Sequence, residues 1–262
     1  MLYGVEDRYD GVDHIWDWID VMQPWSQPLL WKGAGGDPYF GNVVLLAGWD
    51  GTNGATTWND ESPKLHGAGV FAGSAQITTT NPKFGVGSLT DTGSGGGVQW
   101  ANNADWQLGS GQFTIECWVY AASFPGSAQF LIGEWNASVP TFSWSFWLNS
   151  SIISWNTSTT GSDNNADMNW AGLTTSVWHH VAVDFDGVKY RLYVDGSTKA
   201  TFSTLRNLNP FTYPLGIGCD SSPAHNFTFN GQIDEVRITK GVARYATDTS
   251  FAVPTAAFPR HG

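Results

Sequence analysis

The most constraining feature of this chain is a pair of alternating apolar segments joined by an Asp-Gly turn. Trp178–Phe185 alternates apolar and polar residues, Asp186-Gly187 follows, and Tyr190–Val194 repeats the alternation before a second Asp-Gly pair at Asp195-Gly196. Asp-Gly readily adopts the positive φ angles of a tight turn, so the pattern predicts a β-hairpin. A chain built on such hairpins must fold mainly as antiparallel β-sheet.

The same period of two recurs, between turn residues, from about residue 42 onward. Phe113–Tyr120 is the clearest further example, because Phe113, Ile115 and Val119 share one face. Many short strands separated by turns predict a sandwich or barrel. Further strands are predicted at Val43–Trp49, Gln129–Trp135, Ser143–Trp147, Ile152–Trp155, Tyr213–Cys219 and Gln232–Ile238.

Composition supports a β fold and excludes some partners. The chain has 31 Gly and 15 Trp but only 13% charged residues. Its net charge of −11 argues against nucleic acid and acidic lipid surfaces, which both require clustered Lys and Arg. No apolar stretch reaches the ~20 residues of a membrane helix. The acidic start Met1–Arg8 is not predicted to be a secretory signal peptide.

Residues 1–41 differ from the rest and are predicted to form an N-terminal arm. Asp10–Met22 has helical spacing of apolar residues and ends before Pro24, and a Pro- and Gly-rich linker with two tryptophans follows. The domains predicted are therefore an arm at 1–41 and a sandwich at 42–262. The arm docks either on its own domain or on a partner. The residues predicted to make that contact are Val12, Ile15, Trp16, Ile19, Met22, Trp25 and Trp31.

The two cysteines are too few to form a disulfide framework. Cys117 and Cys219 each continue a period-two apolar pattern, so both are predicted to be small core residues with reduced thiols. A disulfide between them stays open, because sequence spacing does not give the distance between strands.

Seven segments carry a family resemblance, and they are Val44–Gly54, Lys83–Leu89, Phe113–Trp118, Trp178–Val183, Leu192–Gly196, Gly231–Tyr245 and Phe251–Pro259. In this order they resemble the laminin-G-like branch of the concanavalin A-like lectin/glucanase superfamily, of the type found in tailed-bacteriophage virion proteins. The resemblance covers about residues 40–259 and implies a jelly-roll sandwich of two antiparallel sheets. This fold hosts lectins, glycosidases and structural modules, so it does not fix a function.

No catalytic constellation is found. Glycoside hydrolysis needs two carboxylates flanking the bond, but none of the five glutamates lies in a Glu-x-Asp-x-x-Glu pattern. Asp234 and Glu235 are adjacent, so on a strand they face opposite sides. A Gly-x-Ser-x-Gly nucleophile elbow is also missing. We therefore predict a protein that is not an enzyme, with glycoside hydrolase as a remote alternative.

Tryptophan and asparagine residues between 135 and 170 indicate a sugar-binding surface. Sugars stack on indole rings while amide groups bind their hydroxyls. Trp144 and Trp147 are three apart, so on one strand they face opposite sides and at least one belongs to the core. The candidate carbohydrate-binding residues are Trp135, Trp144, Trp155, Trp170 and Asn164.

No cofactor is expected except Ca²⁺, which related sandwiches hold at their loops through carboxylate and carbonyl oxygens. Two oxygen-rich loops supply candidate ligands, which are Asp50, Asp60, Asp163 and Asp167. Neither loop has the spacing of an EF-hand.

The resemblance and the arm together lead to a functional hypothesis. The chain is predicted to be a structural phage virion protein, either a capsid decoration or a tail accessory protein, anchored through residues 1–41. Its expected partners are phage capsid or tail proteins and further copies of itself, and its expected location is the particle surface after synthesis in the host cytoplasm. The alternative is an adhesin that binds host-surface glycan.

Overall fold

The computed structural model describes residues 36–262, which form an all-β sandwich of two sheets. The predicted helix and the docking residues from Val12 to Trp31 lie outside the described residues, so the arm and its boundary at residue 41 stay predictions. The described part of the chain contains one short 3₁₀ turn, Phe40–Asn42, and sixteen strands. The strands are β1 (Val43–Ala47), β2 (Thr57–Asn59), β3 (Ala68–Ala72), β4 (Gln76–Thr78), β5 (Ser88–Thr92), β6 (Gly97–Trp100), β7 (Phe113–Ala121), β8 (Ala128–Asn136), β9 (Thr141–Asn149), β10 (Ile152–Thr157), β11 (Asn165–Ala171), β12 (Trp178–Phe185), β13 (Tyr190–Val194), β14 (Ser197–Phe202), β15 (Leu215–Ile217) and β16 (Asn230–Lys240).

Each sheet has eight strands, and all the pairs are antiparallel. Sheet A has the order β14-β13-β12-β7-β16-β5-β4, and β1 pairs beside this path with the second half of β16. Sheet B has the order β11-β10-β9-β8-β15-β6-β3-β2. This architecture confirms the predicted two-sheet sandwich and agrees with a jelly roll.

The predicted Asp-Gly hairpin is confirmed. β12 pairs with β13 so that Phe185 lies opposite Tyr190. The Asp186 carboxylate accepts hydrogen bonds from the backbone N–H groups of Val188 and Lys189, both at 2.8 Å. The aspartate therefore fixes the turn as well as favouring it, which explains why this dipeptide signals a hairpin.

The core lies between the sheets and consists of the apolar side chains that alternate with polar ones along the strands. Burying one large apolar side chain contributes about 1.5 to 3 kcal/mol to stability. Cys117 belongs to this core and Cys219 is also buried; both thiols are free, in agreement with the prediction. From β7 and β9, the inward-facing residues are Phe113, Ile115, Cys117, Val119, Trp144, Phe146 and Leu148.

The sequence does not predict β2 to β6, β11 or β14. The shortest of these, β2 and β4, have only three residues, too few to show a period. β11 is an edge strand whose residues are exposed or partly exposed, except for the enclosed Met168. In the described residues, no helix is long and apolar enough to cross a membrane.

Candidate functional site

The outer face of sheet A is covered at one end by the loop between β4 and β5. The backbone N–H groups of Lys83 and Phe84 donate to the Asp234 carboxylate at 2.9 and 3.1 Å. The Lys83 ammonium lies 3.8 Å from the ring centroid of Trp118, and Phe84 packs edge-on against that ring at 5.6 Å. Trp118 is only 5% exposed as a result. The loop shields an aromatic ring that would otherwise face solvent.

The segment after β16 covers the rest of this face, above a buried charge cluster. Glu116 of β7 is fully buried and accepts hydrogen bonds from Arg237 at 2.8 Å and from the Tyr245 hydroxyl at 2.5 Å, and His180 Nε2 lies 3.1 Å from it. Burial alone would raise the pKa of Glu116, but the charge of Arg237, the hydrogen bond with His180 and the charge of Arg244 together outweigh burial and hold the pKa well below its ordinary value. Because Tyr245 belongs to the covering segment, the buried carboxylate ties that segment to the sheet.

The outer face of sheet B carries small polar side chains beside one tryptophan. In β9 the even-numbered residues from Trp144 to Leu148 point into the core, so the odd-numbered residues point outward. In β10, Ile153 and Trp155 point inward and their neighbours point outward. We call the outward residues of these two strands the outward row. It consists of Ser143, Ser145, Trp147, Ser154 and Asn156.

Trp147 begins a series of three aromatic rings. Its ring stacks on Phe130 of β8 with the centroids 6.5 Å apart, and Phe130 packs against Phe227 at 5.7 Å. Trp147 is partly exposed and Phe227 is 41% exposed, whereas Phe130 is buried between them. Two accessible rings are thus held in place by a third, an arrangement that suits stacking against a flat ligand.

Three buried polar atoms of the outward row have no hydrogen-bonding partner among the described residues. They are Nε1 of Trp147, Oγ of Ser143 and Oδ1 of Asn156. Nδ2 of Asn156 donates to Asn164 Oδ1 at 2.8 Å, which fixes the orientation of this amide. An unpartnered buried polar group costs about 1 to 3 kcal/mol, so such groups in a native protein call for water or a ligand.

The turn after β15 forms a wall beside the aromatic series. The Asp220 carboxylate accepts hydrogen bonds from the Ser222 hydroxyl at 2.6 Å and from the N–H groups of Asn226 and Ala137 at 2.9 and 3.2 Å. The turn lies against Gly216, where a Cβ would meet the backbone carbonyl of Asp220. Tight packing and a carboxylate with several donors make this wall rigid.

The outward row contains no charged side chain. Glu134 of β8 points inward, where its carboxyl oxygens accept hydrogen bonds from Trp144 Nε1 at 3.0 Å and Gln107 Nε2 at 2.7 Å. Burial raises the pKa of Glu134 to about 8. Glycoside hydrolysis needs two carboxylates on either side of the bond, and the outward row offers neither.

The residues predicted to contact sugar lie in different environments. Trp144 and Trp155 are fully buried and stack on each other at 5.7 Å, so their assignment is corrected: rings enclosed between two sheets offer no face to a ligand. Trp135 is buried, Trp170 is partly buried against the core, and Asn164 is exposed beside the outward row. Sugar contact by these three stays a prediction.

Sequence reasoning missed most of the residues that the structure places on this face. The expectation that Trp144 and Trp147 face opposite sides is confirmed, and the alternation of β9 was enough to select Trp147. Asn156 could have been selected in the same way from β10. Phe227 could not, because it comes from the segment between β15 and β16 and shows no strand pattern.

The aspartates predicted to bind calcium are each held by protein donors. The Asp60 carboxylate accepts from the Ser62 hydroxyl at 2.7 Å, and Asp50 accepts from backbone N–H groups of the β4–β5 loop. Asp163 accepts six hydrogen bonds from residues between 158 and 165, and Asp167 pairs with Arg206 at 2.7 Å. The described residues contain no cluster of three acidic, His or Cys groups suited to a metal. The donor sets do not fit a shared calcium site, and calcium binding stays a prediction without geometric support.

Solved structures with this architecture include sugar-binding and toxin domains, although no curated protein matches the chain. Domain 4 of AbnA, a GH43 extracellular arabinanase from Geobacillus stearothermophilus solved with arabinotriose, is 16% identical, with a TM-score of 0.55 over 78% of this chain and 95% of that one. The receptor binding domain of botulinum neurotoxin mosaic serotype C/D is 12% identical, with a TM-score of 0.58 over 80% of this chain and 50% of that one. A Trypanosoma rangeli sialidase mutant is 14% identical, with a TM-score of 0.56 over 80% and 32%. The chain thus spans half or less of the toxin domain and the sialidase, and these likenesses show the fold alone.

The family is identified by a match of the sequence to a family model. A laminin-G family model matches residues 92–245, which is more than half of the chain and runs from the end of β5 to the segment that covers sheet A. The two-sheet topology agrees with that match. The chain therefore belongs to the concanavalin A-like lectin/glucanases superfamily.

Proposed function

We propose that this protein is a non-enzymatic saccharide-binding module whose ligand lies on the outer face of sheet B. The observation that carries the proposal is the partly exposed ring of Trp147, which packs on Phe130 beside the 41% exposed ring of Phe227. A sugar ring has an apolar face of C–H groups and a rim of hydroxyls. Its apolar face would stack on the exposed part of the indole, and a shift of the covering side chains would let one hydroxyl reach the carbonyl oxygen of Asn156 on the neighbouring strand.

The comparisons support this proposal at the level of the fold. One similar structure is a domain of an arabinanase in complex with arabinotriose, and another is the receptor binding domain of a toxin. A sialidase shares the fold as well, so the fold does not decide between binding and catalysis. The proposal that the protein binds saccharide without hydrolysing it rests on the outward row, which has no carboxylate pair.

The test compares two tryptophans on opposite sheets. Trp147→Ala removes the stacking ring, and Trp178→Ala is the matched control, because Trp178 is also partly exposed and packs on Tyr120 of sheet A. Wild-type protein is first screened on a glycan array, with arabinotriose titrated by calorimetry alongside. We expect Trp147→Ala to lose at least tenfold in affinity for any saccharide bound and Trp178→Ala to keep it. Equal loss in both variants, or in neither, would contradict the assignment of the face.

We further propose that the module is displayed on a tailed-phage particle, as a capsid decoration or tail accessory protein, in several copies. The support is in the sequence: the resemblance over residues 40–259 and the distinct composition of residues 1–41. Deleting residues 1–36 is expected to leave Asp37, and with it a folded sandwich, but to stop incorporation into particles. Normal incorporation of the truncated chain would contradict anchoring by the arm.

A further inference from the structure

A cleft of about 400 Å³ lies directly beyond Phe227. Phe227 belongs both to the aromatic series, because its ring packs on Phe130, and to the lining of the cleft. The cleft is therefore continuous with the face on which Trp147 lies. Its other lining includes hydroxyl and amide groups from Thr92, Ser127, Thr228 and Asn230.

Phe227 has a backbone conformation that a side chain of this kind rarely adopts. Its φ is +56°, in the left-handed region, which costs about 1 kcal/mol or more outside glycine. The conformation is held on both sides, because the N–H of Phe130 donates to the Phe227 carbonyl at 2.7 Å and the N–H of Phe229 donates to the Gly218 carbonyl at 2.8 Å. The chain maintains an unfavourable conformation in order to present an exposed ring between two parts of one surface.

Neither the outward row nor the lining of the cleft contains a charged residue. The arginines of the described residues lie elsewhere and pair with carboxylates, and the nearest carboxylate to the aromatic series on the wall, Asp220, is occupied by its own turn. An anionic sugar would find no cation here, whereas the hydroxyls of a neutral sugar would find amides and hydroxyls. The arginines so paired are Arg191, Arg206, Arg237, Arg244 and Arg260.

We infer that the ligand is an uncharged glycan chain of several residues, which stacks on Trp147 and Phe227 in succession and places its next residue in the cleft. This inference rests on the proposed function and adds the ligand class and a second subsite. Trp147 and Phe227 both pack on Phe130, with centroid distances of 6.5 and 5.7 Å, so the two exposed rings offer two stacking positions to one glycan chain. Affinity should therefore rise with chain length until the cleft is filled.

Phe227→Gly provides a clean test, because glycine adopts the positive φ without strain. Loss of the ring is then separated from loss of the fold, and Phe227→Tyr keeps the ring as a matched control. The probes are linear arabino-oligosaccharides from the disaccharide to the hexasaccharide, the neutral series of any other glycan found on the array, and sialylated and uronic acid counterparts. Affinity is measured by calorimetry, and thermal unfolding confirms the fold of each variant.

We expect Phe227→Gly to weaken binding of the hexasaccharide about tenfold, equivalent to about 1.4 kcal/mol, while the disaccharide changes less than twofold. Phe227→Tyr should match the wild type, and Trp147→Ala should weaken the whole series. Equal affinities of wild type and Phe227→Gly along the series, or a preference for acidic glycans, would overturn the inference while leaving saccharide binding intact. Binding of no saccharide, or binding unaffected by Trp147→Ala, would overturn the proposed function itself.

Discussion

On the outer face of sheet A, Glu116 is fully buried and bound by Arg237 and Tyr245, whereas on the outer face of sheet B the equally enclosed Asn156 has a carbonyl oxygen without a partner. On the first face, charged pairs attach a covering segment to the sheet. The second face has neutral polar groups beside the partly exposed ring of Trp147. Buried polar groups with partners stabilise a fold, and those without partners cost stability unless something binds them.

Unpartnered atoms also occur on sheet A, at Nε1 of Trp118 and Nδ1 of His180. Lys83 and Phe84 pack on Trp118, and Phe251 packs on His180 with the ring centroids 5.8 Å apart. Side chains of the covering loop and segment therefore lie directly over both of these residues. The environment of a polar group therefore matters more for its role than the bare fact that it lacks a partner.

The largest effect is expected from Arg237→Ala. Removing one partner of a buried ion pair costs about 3 to 5 kcal/mol, because Glu116 then keeps only the more distant Arg244, at 3.9 Å, as an arginine partner. Urea denaturation at neutral pH measures this loss, with Lys199→Ala as the control for loss of a cation that lies over the Trp170 ring. A cost below about 1 kcal/mol would show that the cluster does not hold the covering segment.

Trp118→Ala and Trp147→Ala should separate stability from binding. Trp118 is enclosed, so its loss leaves a cavity and costs about 3 kcal/mol, with saccharide affinity of the folded protein unchanged. Trp147 is partly exposed, so its loss costs less stability but removes binding. Urea denaturation measures the stability of both variants, and calorimetry measures their saccharide affinity. If one variant lost more of both stability and affinity than the other, the proposed difference between the two faces would be contradicted.

Glu134→Gln tests how the stability of the protein depends on pH. The pKa of Glu134 is raised by burial from 4.5 to about 8, so between those values the folded state holds a proton that the unfolded state releases. Stability from this group is present below pH 4.5 and is lost as pH rises to about 8. The variant removes this dependence, so relative to wild type it should gain at least about 1.4 kcal/mol between pH 4 and pH 9. Parallel curves for the two proteins would show that Glu134 titrates normally.

The smallest stability effect is expected from Asn156→Ala. Only the hydrogen bond to the exposed Asn164 is lost from the folded protein, so the cost should be about 1 kcal/mol or less. Affinity for a saccharide should nevertheless fall about tenfold. A large stability loss without a change in affinity would place Asn156 with the structural groups of sheet A.

Most of the long strands and the core could be predicted from the sequence, because alternating apolar and polar residues indicate which side chains are buried. β12 and β13 have the predicted ends, and Trp144 and Trp147 face opposite sides as expected. The site was less readable because tryptophan content does not distinguish a core ring such as Trp155 from a surface ring. Phe227 depends on a positive φ and on a contact with a strand almost a hundred residues earlier, neither of which leaves a local pattern.

The central claim is most directly tested at the indole N–H of Trp147. This proton has no partner among the described residues, so a bound hydroxyl should shift its ¹H–¹⁵N NMR signal, assigned by comparison with Trp147→Phe. During titration with the tightest-binding saccharide, the account predicts a saturable shift of the Trp147 signal and an unchanged Trp118 signal. Saturable binding that moves the Trp118 signal and leaves that of Trp147 in place would contradict it.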